Sequence, residues 1–144
     1  MGHGLKPIVI RFAERNFDYG EHFFVSDYHP FDIVRLAEIK GTNQSKEELS
    51  SVAQQTLSYA GQVLSQGDHD VVILDDVFVA INIGLIDIEN LMSLIDIKPP
   101  WVELVLTGPS APKEIMKRAD LVTQMLLIKH PFYQGIGPRK GIDY

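Results

Sequence analysis

Three short stretches carry side chains suited to an anionic ligand: Asp75-Asp76, Thr107-Gly108-Pro109-Ser110 and Lys129-His130. Adjacent carboxylates supply hard oxygen donors, which a divalent cation such as magnesium takes. A threonine hydroxyl followed by glycine offers a hydrogen bond beside backbone that a ligand can approach closely, and a Lys-His pair adds positive charge. Brought together, these groups suit a nucleotide phosphate. Each also has a plainer explanation. Strands end in aspartate because Asp favours the turn that follows, Thr107-Gly108 can be a strand-to-helix turn with Ser110 as its cap, and Lys129-His130 can be a solvated strand end. Their shared position, each directly after an apolar run, raises the functional reading above the plain one.

The runs themselves are the positioning elements. Val71-Val72-Ile73-Leu74, between the Gly67-Asp68-His69-Asp70 turn and the two aspartates, reads as a buried parallel strand at the centre of the sheet. Val102–Leu106 reads as a second buried strand delivering Thr107, and Leu121–Ile128 as the last strand, delivering Lys129. In open α/β sheets, ligands bind at the carboxyl ends of the strands, where these three loops would converge.

Upstream, Ile8-Val9-Ile10 with Phe12 reads as a first strand, Phe23-Phe24-Val25 as a shorter one, and 31–39 as a short helix. Ser45 and Glu48 form a capping box ahead of Leu49, Val52, Ala53, Leu57, Ala60, Val63 and Leu64, which share one helical face, and Gly67 supplies the stop. Val77–Gly84 is apolar and ambiguous. Asp87 caps a helix that buries Ile88, Leu91, Met92 and Ile95, and Pro99-Pro100 end it. Pro112–Ala119 reads as a short helix, and the prolines and glycines after Ile128 make the tail a long loop. This alternation predicts an α/β fold: three layers, a mostly parallel sheet with helices on both faces, in a single domain over 1–144.

Composition excludes several function classes. A net charge of −6 argues against nucleic acid as a partner, because phosphate backbones need a basic surface. With no cysteine there is no disulfide, thiolate metal site or cysteine nucleophile. No apolar run approaches the roughly 18 residues of a membrane span, and Met1–Pro7 lacks a signal peptide's apolar core, so no membrane partner and a cytoplasmic location are expected. There is no G-x-G-x-x-G fingerprint, no nucleophile elbow, and no shared context for His3, His22, His29, His69 and His130 as a zinc site.

Several segments together resemble the ATP:corrinoid (cob(I)alamin) adenosyltransferase family of the P-loop fold. They are Gly2-His3-Gly4-Leu5 leading into Val9-Ile10-Arg11-Phe12; Asp70–Asp76; Gly84-Leu85-Ile86; Val105–Gly108 with Ala111-Pro112; Ala119–Thr123; and Lys129–Ile136 closing on Lys140–Tyr144. The resemblance covers 1–12 and about 59–144, and the C-terminal signature is its most specific part. It implies a P-loop NTPase-like (RecA-like) sheet and an enzyme of cobalamin metabolism that takes ATP, magnesium and a corrinoid. The reduced cobalt attacks the ribose C5′, the C5′–O bond breaks, triphosphate leaves, and the adenosyl corrinoid forms. By position, Asp75 and Asp76 correspond to the pair that places magnesium, Thr107 and Gly108 to a second nucleotide-facing loop, and Lys129, His130, Gln134 and Gly135 to the loop that closes the site.

The sequence departs from the family pattern in ways that carry their own expectations. The 144 residues contain no G-x-x-x-x-G-K-[ST] phosphate loop and no counterpart of the first strand before it. The family has Glu where Asp76 stands, Arg where Pro109 stands and Glu where Gln124 stands, and its Gly-Phe-Thr-Trp approach to the corrinoid has no counterpart here. A non-catalytic paralogue that binds nucleotide, corrinoid or a protein partner is therefore the alternative to a transferase. A start codon upstream of Met1 would restore the loop. Omitting an interior strand leaves backbone groups to be paired, either by the remaining strands closing up or by another chain, so a homo-oligomer is expected.

Overall fold

The structure, a computed structural model, describes residues 2–12, 20–35 and 45–142. Four strands form one all-parallel sheet in the order β2-β1-β3-β4: β1 (Pro7–Arg11), β2 (Asp32–Val34), β3 (Val71–Asp75) and β4 (Glu103–Leu106). Every connection between them carries helix, as parallel neighbours require: α1 (Gly20–Tyr28), α2 (Lys46–Gln66), α3 (Val77–Asn82) and α4 (Ile88–Asp96), with α5 (Lys113–Arg118) following β4. The three-layer α/β expectation holds. So does the central place of Val71–Asp75, which has β1 on one side and β4 on the other.

Pairing in register makes the two faces of this sheet unequal. Ile8 lies beside Val72 and Ile10 beside Leu74, and all four are buried. Their face meets α2, whose stripe of Ala53, Leu57, Ala60, Val63 and Leu64 is also buried. Burying a side chain such as Leu74 contributes about 1.5–3 kcal/mol. The opposite face carries Val9, Arg11, Val71, Ile73 and Asp75, which are only half-buried. The chain runs from β1 outward to β2, then returns past β1 to β3 and on to β4. With right-handed crossovers, that reversal puts α1 on one face and α2 with α4 on the other. α2 and α4 are in contact with each other, whereas Phe23, Phe24 and Tyr28 of α1 are exposed.

Local signals explain the best-read element. Ser45 Oγ accepts from the Glu48 N–H at 3.2 Å, and Glu48 Oε2 accepts from the Ser45 N–H at 2.9 Å, so the capping box closes. Gly67 ends α2 in the left-handed conformation (φ 68°), its N–H donating to the Val63 carbonyl. Asp87 does occupy the cap position of α4, but without a side-chain cap bond. α4 buries Leu91 and Leu94 fully, with Ile88, Met92 and Ile95 packed part-buried at the margin.

Three expectations are corrected and one ambiguity is resolved. Phe23-Phe24-Val25 is not a strand but the middle of α1, where Phe24 and Tyr28 stack one turn apart at 5.1 Å. Residues 32–34 of the expected 31–39 helix form β2, paired with β1, and 36–40 lie outside the described residues. Val77–Asn82, left ambiguous by sequence, is helical. Leu121–Ile128 is not a strand of the sheet: it has no regular secondary structure, is exposed throughout and pairs with none of the described strands. Apolar composition favours a strand only where a neighbour can take up its backbone groups, and β4 does not do so here. The tail after Ile128 is loop, apart from one 3₁₀ turn at Pro131–Gln134.

Candidate functional site

Because all strands are parallel, their carboxyl ends share one edge. The order reverses between β1 and β3, and such a switch point leaves a crevice where the two following connections diverge. Arg11 ends β1 and lies in register with Asp75, which ends β3. Arg11 Nε donates to Asp75 Oδ2 at 3.0 Å, with side chains 13% and 30% exposed. The other oxygen, Oδ1, accepts from the Thr107 hydroxyl at 2.9 Å, and that hydroxyl in turn accepts from the Asp76 N–H at 2.9 Å. Backbone bonds run in parallel: Phe12 N–H to the Asp75 carbonyl (2.9 Å), Thr107 N–H to the Leu74 carbonyl (3.1 Å), and Phe78 N–H to the Thr107 carbonyl (3.3 Å). One network thus ties the ends of β1, β3 and β4 together.

Backbone geometry narrows the residues allowed at this edge. Asp76 adopts the left-handed region (φ 57°), which Asp tolerates better than most side chains, and α3 starts immediately after it. Gly108 has φ 138°, and a Cβ built there would stand 2.8 Å from Phe78 Cβ and 3.1 Å from Phe78 N. Only glycine fits that approach. The loop is held further by Asn82 Nδ2 donating to the Pro109 carbonyl at 2.9 Å.

Of the residues singled out from sequence, Asp75, Asp76, Thr107 and Gly108 are brought together. Lys129, His130, Gln134 and Gly135 stand on a stretch in which every described residue from Met116 to Ile142 is exposed. His130 makes its hydrogen bond and ring contacts with Phe132 and Tyr133, inside the tail. Arg11 was not singled out for this role. Its signal was present, a charge closing the apolar run Ile8-Val9-Ile10, but its partner depends on the β1–β3 register.

Among the described residues, no group of three or more His, Cys, Asp or Glu side chains could hold a metal by itself. Two adjacent carboxylates still fit magnesium, which is bound through one or two carboxylates with substrate phosphates and water completing its shell. Each Asp75 oxygen accepts one hydrogen bond, and a carboxylate offers about four acceptor positions. Asp75 therefore retains capacity beside Asp76. A cavity of about 370 Å³ lies elsewhere, at the start of α2, lined by Lys46, Glu47, Ser50, Ser51, Gln54 and Gly84, and none of the expected site residues lines it.

Over residues 1–144 the sequence matches the family described as ATP:corrinoid adenosyltransferase BtuR/CobO/CobP. The chain belongs to that family. Proteins named corrinoid adenosyltransferase are similar to it along its whole length: one from Pseudomonas aeruginosa is 28% identical over 147 residues, 72% of that protein. One from a Sinorhizobium species is 26% identical over 149 residues, 69% of that protein, and one from Escherichia coli K12 is 23% identical over 144 residues, 74% of that protein. The match includes residues 13–58, which carry none of the segments that resemble the family motifs. In this adenosyltransferase-family chain, the Arg11–Asp75–Thr107 network stands at the sheet edge where α/β proteins place their ligands.

Proposed function

We propose that this protein acts on ATP and a corrinoid as an ATP:corrinoid adenosyltransferase-like protein, with the carboxyl edge of β1, β3 and β4 as its nucleotide site. The observation that carries this reading is the convergence of Arg11, Asp75, Asp76 and Thr107 on one edge in a chain of that family. In the transfer, the corrinoid cobalt is the nucleophile at the ribose C5′ and triphosphate is the leaving group. The protein's share is therefore positioning and charge compensation rather than proton transfer.

Asp76 and Asp75 would hold magnesium, which when bound with ATP offsets phosphate charge. Arg11 fixes the Asp75 carboxylate from one side and Thr107 from the other, so Asp75 is set before ligand arrives. Gly108, packed against Phe78, would keep this nucleotide-facing loop in place beside Thr107. Lys129, His130, Gln134 and Gly135 would close over the nucleotide from the tail.

A second reading, a non-catalytic paralogue that binds nucleotide, corrinoid or a protein partner, draws support from one observation: both Asp75 oxygens already hold protein donors. Titration calorimetry separates the two. The transferase reading expects magnesium-ATP to bind at roughly 1–100 μM, or about −5.5 to −8 kcal/mol, a reduced corrinoid to bind separately, and Asp76→Asn to weaken the nucleotide but not the corrinoid. Corrinoid binding with no detectable ATP binding sinks the transferase reading and keeps the second; binding of neither sinks the transferase reading and leaves of the second only a structural or protein-partner role.

A further inference from the structure

The candidate site carries two adjacent carboxylates and, against one of them, a cation that belongs to the chain. Arg11 Nε lies 3.0 Å from Asp75 Oδ2, and both side chains are largely withdrawn from water, so solvent screens the pair only in part. The sheet sets this pairing: Arg11 and Asp75 are register partners at the ends of β1 and β3, and the Phe12 N–H donates to the Asp75 carbonyl at 2.9 Å. Oδ1 of the same carboxylate accepts from the Thr107 hydroxyl at 2.9 Å. Arginine keeps its charge over the whole pH range in which proteins work.

A divalent cation arriving alone therefore meets an unfavourable site. Arg11 offsets the Asp75 charge, and its guanidinium repels a second cation brought to the same carboxylate. Among the described residues, no third His, Cys, Asp or Glu side chain completes a metal-holding group there. Nucleotide phosphates change that balance, because they bring negative charge and oxygen ligands together with the metal. Phosphate oxygens are also anions with which a guanidinium pairs.

We propose that Arg11 determines what this site accepts: its charge keeps a bare divalent cation off Asp75 and Asp76, so that metal enters only in company with a phosphate-bearing ligand such as a nucleoside triphosphate. This role rests on Asp75 and Asp76 being the magnesium-holding pair proposed above. Arg11 acts through Asp75, as a positioning and charge-offsetting side chain.

Manganese, a paramagnetic substitute for magnesium, is titrated into the full chain with and without ATP and followed by electron paramagnetic resonance, which reads binding without corrinoid or turnover. Wild type is expected to bind manganese alone at roughly 1 mM or weaker. Arg11→Gln, which removes the charge but keeps an amide donor for Asp75, should bind it at least about 10-fold more tightly, a difference of about 1.4 kcal/mol. Arg11→Lys, which keeps the charge, should stay at the wild-type value. The sign separates charge from support, since a merely structural Arg11 would leave the variants binding more weakly. Manganese affinity that is equal or lower in Arg11→Gln overturns the proposal. So does wild-type binding of manganese alone below about 100 μM that Asp75→Asn abolishes, a result that needs no Arg11 variant to fold. Absence of ATP-dependent manganese binding in all three forms sinks the nucleotide reading instead, and tighter binding of manganese alone by Arg11→Gln then still upholds the exclusion of the bare cation.

Discussion

Val71–Leu74 and Leu121–Ile128 are the two most strand-like apolar runs in the sequence, and they have opposite fates. The first is the centre of the sheet, hydrogen-bonded on both sides, with Val72 and Leu74 fully buried. The second has no regular secondary structure, is exposed and pairs with none of the described strands. The two differ not in composition but in neighbours: β1 and β4 flank the first run, and no described strand flanks the second. The candidate site follows the same division. Asp75, Asp76 and Thr107 are fixed because their strands are paired, whereas Lys129 and His130 hang from a run that has no pairing to fix them.

Paired substitutions in the two regions can break this contrast. The largest difference is expected for Leu74→Ala, which leaves a cavity in the centre of the core and should cost about 2–5 kcal/mol in denaturant unfolding. Phe132→Ala in the exposed tail should stay within about 0.5 kcal/mol. Equal losses would mean that the tail is packed as tightly as the core. Next comes glycine replacement. Gly108→Ala meets Phe78 at 2.8 Å in a conformation open only to glycine and should cost at least about 2 kcal/mol. Gly135→Ala has open space around it and bears only left-handed strain, about 1 kcal/mol.

Smaller effects are expected from the polar contacts. Thr107→Val keeps the shape but removes the hydroxyl between Asp75 and the Asp76 N–H, for a loss of about 1–3 kcal/mol. His130→Ala, whose ring serves only its own turn, should change unfolding by a few tenths. In a double-mutant cycle, Arg11→Met and Asp75→Asn should show coupling of about 1 kcal/mol or more, since both groups sit in one network. The exposed pair Arg118–Asp96 at 3.4 Å should couple by about 0.5 kcal/mol or less. Coupling as small between Arg11 and Asp75 would show that their bond does not hold the site.

Local chemistry made much of this protein legible in its sequence. The Ser45/Glu48 capping box and Gly67 bounded α2 because caps are satisfied by residues close in the chain. The apolar runs ending in Arg11, Asp75 and Thr107 predicted strands, and their alternation with helices predicted the parallel sheet and the edge on which those residues meet. Phe23-Phe24-Val25 was misread because three apolar residues carry no period by which to tell strand from helix. Long-range register decided the rest. Only the alignment of Arg11 with Asp75 creates the ion pair at the switch point, and only the approach of Phe78 makes Gly108 obligatory. The same holds for Leu121–Ile128. Its sequence states that it needs a partner, but whether it has one depends on which strand edge lies beside it, a property of the whole fold and not of the eight residues.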